Sequence, residues 1–264
     1  MENINVVKRD GEVEAFDVDK IKKMLDWGCG ETKDVSSDRI LMNSKLNIFD
    51  KIKTEDIHKI LVESAASLIE DETNYTKVAA RLAIYKLRKE VWGGKNPPKL
   101  YDHLKKGVRK GYYSKDLLDT FSKSQINKLD EVINHDRDFL FQYGGVVQTL
   151  EKYLVQDRST GKIFETPQFA YILAAMALAV NEKPRQRVSI AKGFYHDFSR
   201  FKPNLSTPIM AGARTNTKSY SSCCIIDVAD TKGSIFAANT ASGLVTCDKY
   251  GIGLILNKMR GINE

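Results

Sequence analysis

Residues 4–30 read INVVKRDGEVEAFDVDKIKKMLDWGCG, and two periods follow one another within them. In residues 3–16, Ile4 and Val6, then Val13 and Phe16, flank Asp10-Gly11. That dipeptide favours a tight hairpin turn because both residues tolerate positive φ, so a β-hairpin is predicted here. Asp17 stands where an N-cap belongs, and Val18, Ile21, Leu25 and Gly28 follow at helical spacing. The helix is expected to end near Gly28-Cys29-Gly30. A hairpin running straight into a helix makes the first part of the chain α+β.

Working outward, a second helix is expected after Thr54, read as its N-cap, with Glu55 and Asp56 placing negative charge in the first turn. A third runs from about Tyr75 to Glu90, with Val78, Leu82 and Tyr85 on one stripe. Gly93-Gly94-Lys95-Asn96-Pro97-Pro98 then breaks the pattern, and a domain boundary is placed there. Residues 100–205 read as mainly helical, with a hairpin over Lys152–Phe164 around Ser159-Thr160-Gly161. Thr166-Pro167 is a helix start, since Pro suits the first helical position. The run FAYILAAMALAV after it is apolar on every side, so that helix is expected to be buried. After Pro203 the character changes. Tyr220–Asp227 (YSSCCIID) reads as a strand, 231–248 as a helix, and Gly251–Leu256 (GIGLIL) as a second strand, which is the start of an α/β unit. Two parallel strands cannot cover both faces of a sheet, so this unit reads as unfinished. The other reading is that the two strands pack on the helical domain as a small α+β unit. The domains are therefore 1–95, 96–205 and 206–264.

The 264 residues are 42% hydrophobic and 28% charged, a globular composition that argues against wholesale disorder. Four cysteines in this length do not make a disulfide scaffold. The first residues carry no apolar signal core, and the longest apolar run, Phe169 to Val180, falls well short of the ~20 residues a span needs. A soluble cytoplasmic protein without membrane contact is expected. The net charge of +7 permits a nucleic-acid surface, but the excess lies in residues 101–264 and is spread over helices without a dense Lys/Arg run, so nucleic acid is not the expected partner.

The phosphate-loop, dinucleotide-fingerprint, zinc-protease and CxxC motifs are all absent. The hairpin-plus-helix offers more. Lys8 and Arg9 sit beside the turn and Lys20 in the first turn of the next helix, an arrangement suited to an anion. Glu14 and Asp17 can accept from sugar hydroxyls or base donors, and Thr54 and His58 stand one turn apart on the second helix. Alone, these residues carry little specificity, because surface Lys and capping Asp are common, and a solvated surface is the plainer reading. On the later strand, Cys223 and Cys224 point to opposite faces, so only one of them can easily face a given pocket. A bond between them would need a strained ring. Either thiol alone reads equally well as inert and buried.

Four ordered stretches then carry a resemblance: 6–27 (VVKRDGEVEAFDVDKIKKMLDW), 51–69 with 75–89 (KIKTEDIHKILVESAASLI, YTKVAARLAIYKLRK), 133–172 (INHDRDFLFQYGGVVQTLEKYLVQDRSTGKIFETPQFAYI) and 205–235 (LSTPIMAGARTNTKSYSSCCIIDVADTKGSI). Together they resemble the N-terminal part of the large, catalytic subunit of class I ribonucleotide reductase, in its enterobacterial and T4-like phage branch. The resemblance implies an ATP-cone domain, a mainly helical domain, and the first strand–helix–strand of an incomplete ten-stranded α/β barrel.

It also implies roles. Lys8, Arg9, Glu14, Asp17, Lys20, Thr54, His58 and Lys89 match the ATP/dATP activity site, Asp17 standing where a relative has Asn. Thr207, Ser222, Cys223 and Gly251 match substrate-site positions. Cys223 matches the redox-active thiol, Cys224 an apolar strand position. Tyr250 stands where Ala is usual. Asp230, Thr231 and Lys232 match the specificity-effector site, which takes deoxynucleoside triphosphates or ATP, and the helix after them matches a dimer interface. The implied activity is reduction of nucleoside diphosphates. No metal site is expected in this chain, the di-iron centre belonging to a separate radical-generating small subunit. The radical cysteine, the partner for Cys223 and the C-terminal cysteine pair of the family are not among these residues. The expectation is therefore an N-terminal part of a split subunit, inactive alone and completed by a separate C-terminal fragment. The alternative is a free-standing ATP/dATP-binding module or remnant.

Overall fold

The structure, a computed structural model, describes residues 4–93, 96–157, 159–217, 219–248 and 250–261, with Leu46 described by its backbone alone. Gly94 and Lys95 of the expected linker and Arg158 of the expected second hairpin lie outside the described residues. Strands β1 (Asn5–Val7) and β2 (Val13–Ala15) pair antiparallel, Asn5 opposite Ala15 and Val7 opposite Val13. The turn differs from the two-residue form. Gly11 N donates to Lys8 O at 3.0 Å and Lys8 N to Glu12 O at 2.8 Å, closing a three-residue loop. Of its residues only Gly11 takes positive φ, 90°. Asp10 keeps ordinary backbone geometry and uses its side chain to accept from Glu12 N at 3.0 Å.

Helix α1 (Val18–Cys29) starts as expected, with the Asp17 carboxylate accepting from Asp19 N at 2.9 Å and Lys20 N at 3.3 Å. It stops at Gly30, which takes positive φ. A helix missed in the sequence follows, α2 (Ser37–Ser44), capped by Ser36. A short strand, β3 (Ile52–Lys53), was missed too; it adds to β1 in parallel, Val6 opposite Ile52 and Val7 opposite Lys53. Because β3 runs directly into α3 (Thr54–Ser67), Lys53 holds the cap position. Thr54 is the first helical residue, and its expected capping role is not observed. Helix α4 (Tyr75–Trp92) packs along α3, and α1 and α2 close the group over a core that includes Val6, Leu25, Ile40, Ile52, Leu61, Val78 and Ile84. Each side chain of this size, fully buried, contributes about 1.5–3 kcal/mol.

The next stretch is helical as expected: α5 (Leu100–Arg109), α6 (Asp116–Thr120), α7 (Lys123–Asp130), α8 (Tyr143–Gln148), α9 (Pro167–Leu178), α10 (Arg187–Phe198) and α11 (Thr207–Gly212), the last not foreseen. A single π turn, Thr149–Tyr153, follows α8. Among the described residues, the hairpin expected over Lys152–Phe164 reduces to one antiparallel bridge, Gln156 with Ile163. Ladder growth stops because Val155 N donates to the Glu165 side chain at 2.7 Å, and Asp157 folds the tip by accepting from Ser159 N and Thr160 N. Helix α9 is buried from Pro167 through Met176, as its all-round apolar sequence requires. A second core gathers around it, with Leu104, Tyr113, Phe121, Ile126, Phe169, Ile172, Tyr195 and Met210. No helix among the described residues is long and apolar enough to cross a membrane.

The last segment is strand–helix–strand: β4 (Cys223–Asp227), α12 (Lys232–Cys247) and β5 (Gly251–Ile255). The strands are parallel, Cys223 opposite Gly251 and Asp227 opposite Ile255. β4 begins later than Tyr220, since the Tyr220 hydroxyl donates to Thr217 O at 2.9 Å and holds the approach as a loop. Large apolar side chains of this unit stand uncovered: Ile225 is 73% exposed, Phe236 70% and Leu244 66%.

Candidate functional site

The parallel pairing of β1 with β3 brings two distant segments to one rim. Lys8 follows β1 directly and Thr54 follows β3 directly, so hairpin and α3 leave the sheet side by side. On the hairpin side the charges are shared: Lys8 Nζ lies 2.9 Å from Glu14 and 3.5 Å from Glu12, while Lys20 Nζ lies 3.5 Å from Glu14 and 3.9 Å from Asp17. Glu14 sits between two ammonium groups, and its hydrogen bond to Lys8 holds its carboxyl below the usual range. The same bond raises Lys8. An open hollow lies against Glu14 through Lys20. Asp17 lines it, but its Oδ1 is committed to capping α1, which narrows what it can offer a ligand.

On the other side His58 stacks on Tyr85, ring centroids 5.6 Å apart at 22°, and the Lys89 ammonium stands 4.6 Å over the same ring. Burial lowers His58 to about 4, and Lys89, Arg9 and Lys86 push the same way, so its imidazole is neutral near pH 7. A neutral ring stacked on a phenol, with an ammonium over that phenol, offers a base a flat surface and a phosphate a charge. Tyr85 is the residue that sequence reasoning assigned only to an apolar stripe. Its spacing of four from Lys89 was the available signal, because residues four apart share a helix face.

Three of the residues matched to a substrate site meet where β4 and β5 begin. Gly251 N donates to Ser222 O at 2.8 Å, and a Cβ on Gly251 would stand 3.2 Å from Cys223 Sγ. Ser222, Cys223 and Gly251 are thus brought together, with the Cys223 thiol exposed and Cys224 half-buried on the opposite face. Tyr250 is held by a hydrogen bond from Ser219. Thr207 is the first residue of α11, with its hydroxyl 3.5 Å from that of Tyr153. Among the described residues no hydrogen bond joins Thr207 to Ser222 or Cys223.

Asp230, Thr231 and Lys232 stand together at the start of α12. Thr231 caps the helix by accepting from Ser234 N at 3.1 Å, and Asp230 pairs with Arg260 at 3.1 Å. Among the described residues no group of three or more His, Cys, Asp or Glu could hold a metal ion.

Two family models match the chain: the ATP cone domain over residues 4–90, and the all-alpha domain of ribonucleotide reductase over residues 139–218. Among curated proteins, the chain is 41% identical over 264 residues to ribonucleoside-diphosphate reductase 1 subunit alpha of Escherichia coli, covering 100% of this chain and 35% of that protein. It is 39% identical over 263 residues to the alpha subunit of Haemophilus influenzae, covering 99% and 35%. It is also 39% identical over 261 residues to that of Enterobacteria phage T4, covering 98% and 34%. The chain spans about a third of the length of these relatives.

Proposed function

Because the chain carries the N-terminal region of a ribonucleotide reductase large subunit, ATP cone plus all-alpha domain, we propose that it binds ATP and dATP at the β1–β3 rim and thereby sets the activity of a nucleoside-diphosphate reductase. The observation that carries this reading is the meeting of Lys8 and Arg9 with Thr54, His58 and Lys89 across the parallel strand pair. Lys8, Arg9, Lys20 and Lys89 face the phosphates. Glu14, Asp17 and Thr54 face sugar and base, and the base stacks near His58 and Tyr85. Titration calorimetry with ATP and dATP tests it. Lys8→Ala and Lys89→Ala each remove a charge-assisted contact of about 1.5–3 kcal/mol, so each weakens binding roughly tenfold or more. Lys123→Ala, on another face, leaves it unchanged. Equal affinity in all four proteins would reject the site.

Thr207, Ser222, Cys223 and Gly251 are proposed as this chain's share of the nucleoside-diphosphate site, Cys223 as a redox-active thiol. Asp230, Thr231 and Lys232 are its share of a specificity-effector site completed across an alpha dimer by α12. The exposed apolar side chains of β4, α12 and β5 support their being the first part of the reductase barrel, with further strands laid beside them. In this reading a separate C-terminal polypeptide supplies those strands, a di-iron small subunit supplies the radical, and the isolated chain reduces nothing. Reconstitution with all parts and CDP tests it: dCDP formed only in the full mixture supports it. Nucleotide binding without any such partner, sought by affinity capture from the native source, points instead to a free-standing ATP/dATP-binding module.

A further inference from the structure

Arg214 and Glu165 are both wholly buried and paired. Arg214 Nε donates to both Glu165 oxygens, at 3.0 and 2.9 Å. Nη2 donates to Glu165 Oε1 as well and to Tyr153 O at 2.7 Å, while Nη1 donates to Met210 O, in α11. Glu165 in turn accepts from Val155 N at 2.7 Å and from the Tyr113 hydroxyl at 2.9 Å, and that hydroxyl lies 2.8 Å from His103 Nε2. Ser114 N donates to Arg214 O at 3.0 Å. The π turn, α9's leading edge, the loop after α5 and α11 therefore all converge on one ion pair. A buried pair of this kind adds little net stability over apolar residues of the same volume, because desolvating two charges offsets their attraction. What it supplies is direction, since a planar fork fixes several acceptors at once.

The acceptors are informative. Arg214 holds the carbonyl of Tyr153 and that of Met210, the two segments that meet where the Tyr153 hydroxyl lies 3.5 Å from Thr207 Oγ1. Tyr153 closes the π turn, and its hydroxyl also accepts from Gln148 Nε2 at 2.9 Å. Among the described residues of 213–222, the segment that leads to Ser222 and Cys223, Arg214 is the only buried one. We infer that Arg214 and Glu165 are positioning residues, whose buried pair sets the place of Thr207 and of the strand carrying Ser222 and Cys223 against the helical domain.

The inference rests on the substrate-site reading for its consequence, but its geometry can be tested without it. Removing one partner alone strands a charge and can unfold the chain, so the test uses Arg214→Met with Glu165→Leu. In the isolated chain the double variant is expected to stay folded with a lowered thermal midpoint, because Val155 N, the Tyr113 hydroxyl and Tyr153 O lose their partners, and to keep its ATP affinity. Amide exchange over 206–222 rises about tenfold, and the alkylation rate of Cys223, measured against Cys247 as an internal standard, changes at least threefold. In the assembled reductase, KM for the nucleoside diphosphate rises at least fivefold with kcat within twofold. A folded double variant with unchanged exchange, alkylation and KM overturns the inference. If the wild-type assembly shows no turnover, the substrate-site reading fails, and exchange and alkylation alone decide whether the pair positions the segment.

Discussion

At the scale of single residues, the buried imidazoles set how the fold responds to acid. Burial lowers His58, His103 and His135 to about 4 from an ordinary 6.5. The folded state therefore holds these rings neutral, and their contribution is complete above pH 6.5 and lost as pH falls towards 4. Asp138 acts in the opposite sense. Burial raises it to about 6 from 3.8, outweighing its 3.0 Å pair with Arg88, so it costs stability above pH 6 and that cost is relieved on acidification. Three groups against one make the net slope destabilising. His103 is the cleanest case, wedged between Phe164 and Phe169 at centroid distances of 4.9 and 4.4 Å, and its titration is worth roughly 3 kcal/mol. Denaturant unfolding at pH 7.0 and 4.5 should show a fall in stability that is smaller in His103→Gln, once each is referred to its own value at pH 7. An equal fall in both proteins would remove His103 from the account.

At the scale of elements, local rules and tertiary demands can be separated. Asp17, read from sequence as a cap, is one; Asp17→Ala should cost about 1 kcal/mol in thermal or denaturant unfolding. Asp17→Asn should keep most of that, because an amide oxygen caps as well. Gly107 is a different case: a Cβ there would lie 2.1 Å from Tyr113, which is itself bonded to Glu165. Gly107→Ala must displace the Tyr113 ring and loosen the Arg214 network, at a cost of about 3 kcal/mol or more, the range of severe overpacking. If Gly107→Ala unfolds within 1 kcal/mol of wild type, Tyr113 is not held as tightly as its bonds indicate. Gly107 carries no turn signature in sequence, and its role exists only because α5 and the loop after it meet face to face. The same distinction explains Thr54. Its identity and acidic neighbours suit a cap, but β3 pairs with β1 up to Lys53 and takes the cap position for the strand.

At the scale of the whole molecule, the chain pairs two well-filled cores with a strand–helix–strand unit that is mostly uncovered. Amide exchange should follow that division, with 167–176 the slowest segment and 223–255 faster by at least a hundredfold; comparable protection in both would mean that the unit is covered in solution. The sequence by itself determined the local grammar: the hairpin and its capped helix, the long α4, the buried α9, and the parallel strands of the last unit. These follow from short-range periodicity, turn chemistry and Pro placement, which act within a few residues. It also named residues on both sides of the β1–β3 rim, through the family resemblance and not through any spacing of their own. Only the tertiary structure decided that β3 exists and joins Lys8 to Thr54, that Tyr85 stacks on His58, and that Thr207 stands beside Tyr153. A two-residue strand has too little period to read, and a stacked ring or a buried Arg214 fork depends on segments about 30 to 60 residues apart that meet only when the cores close.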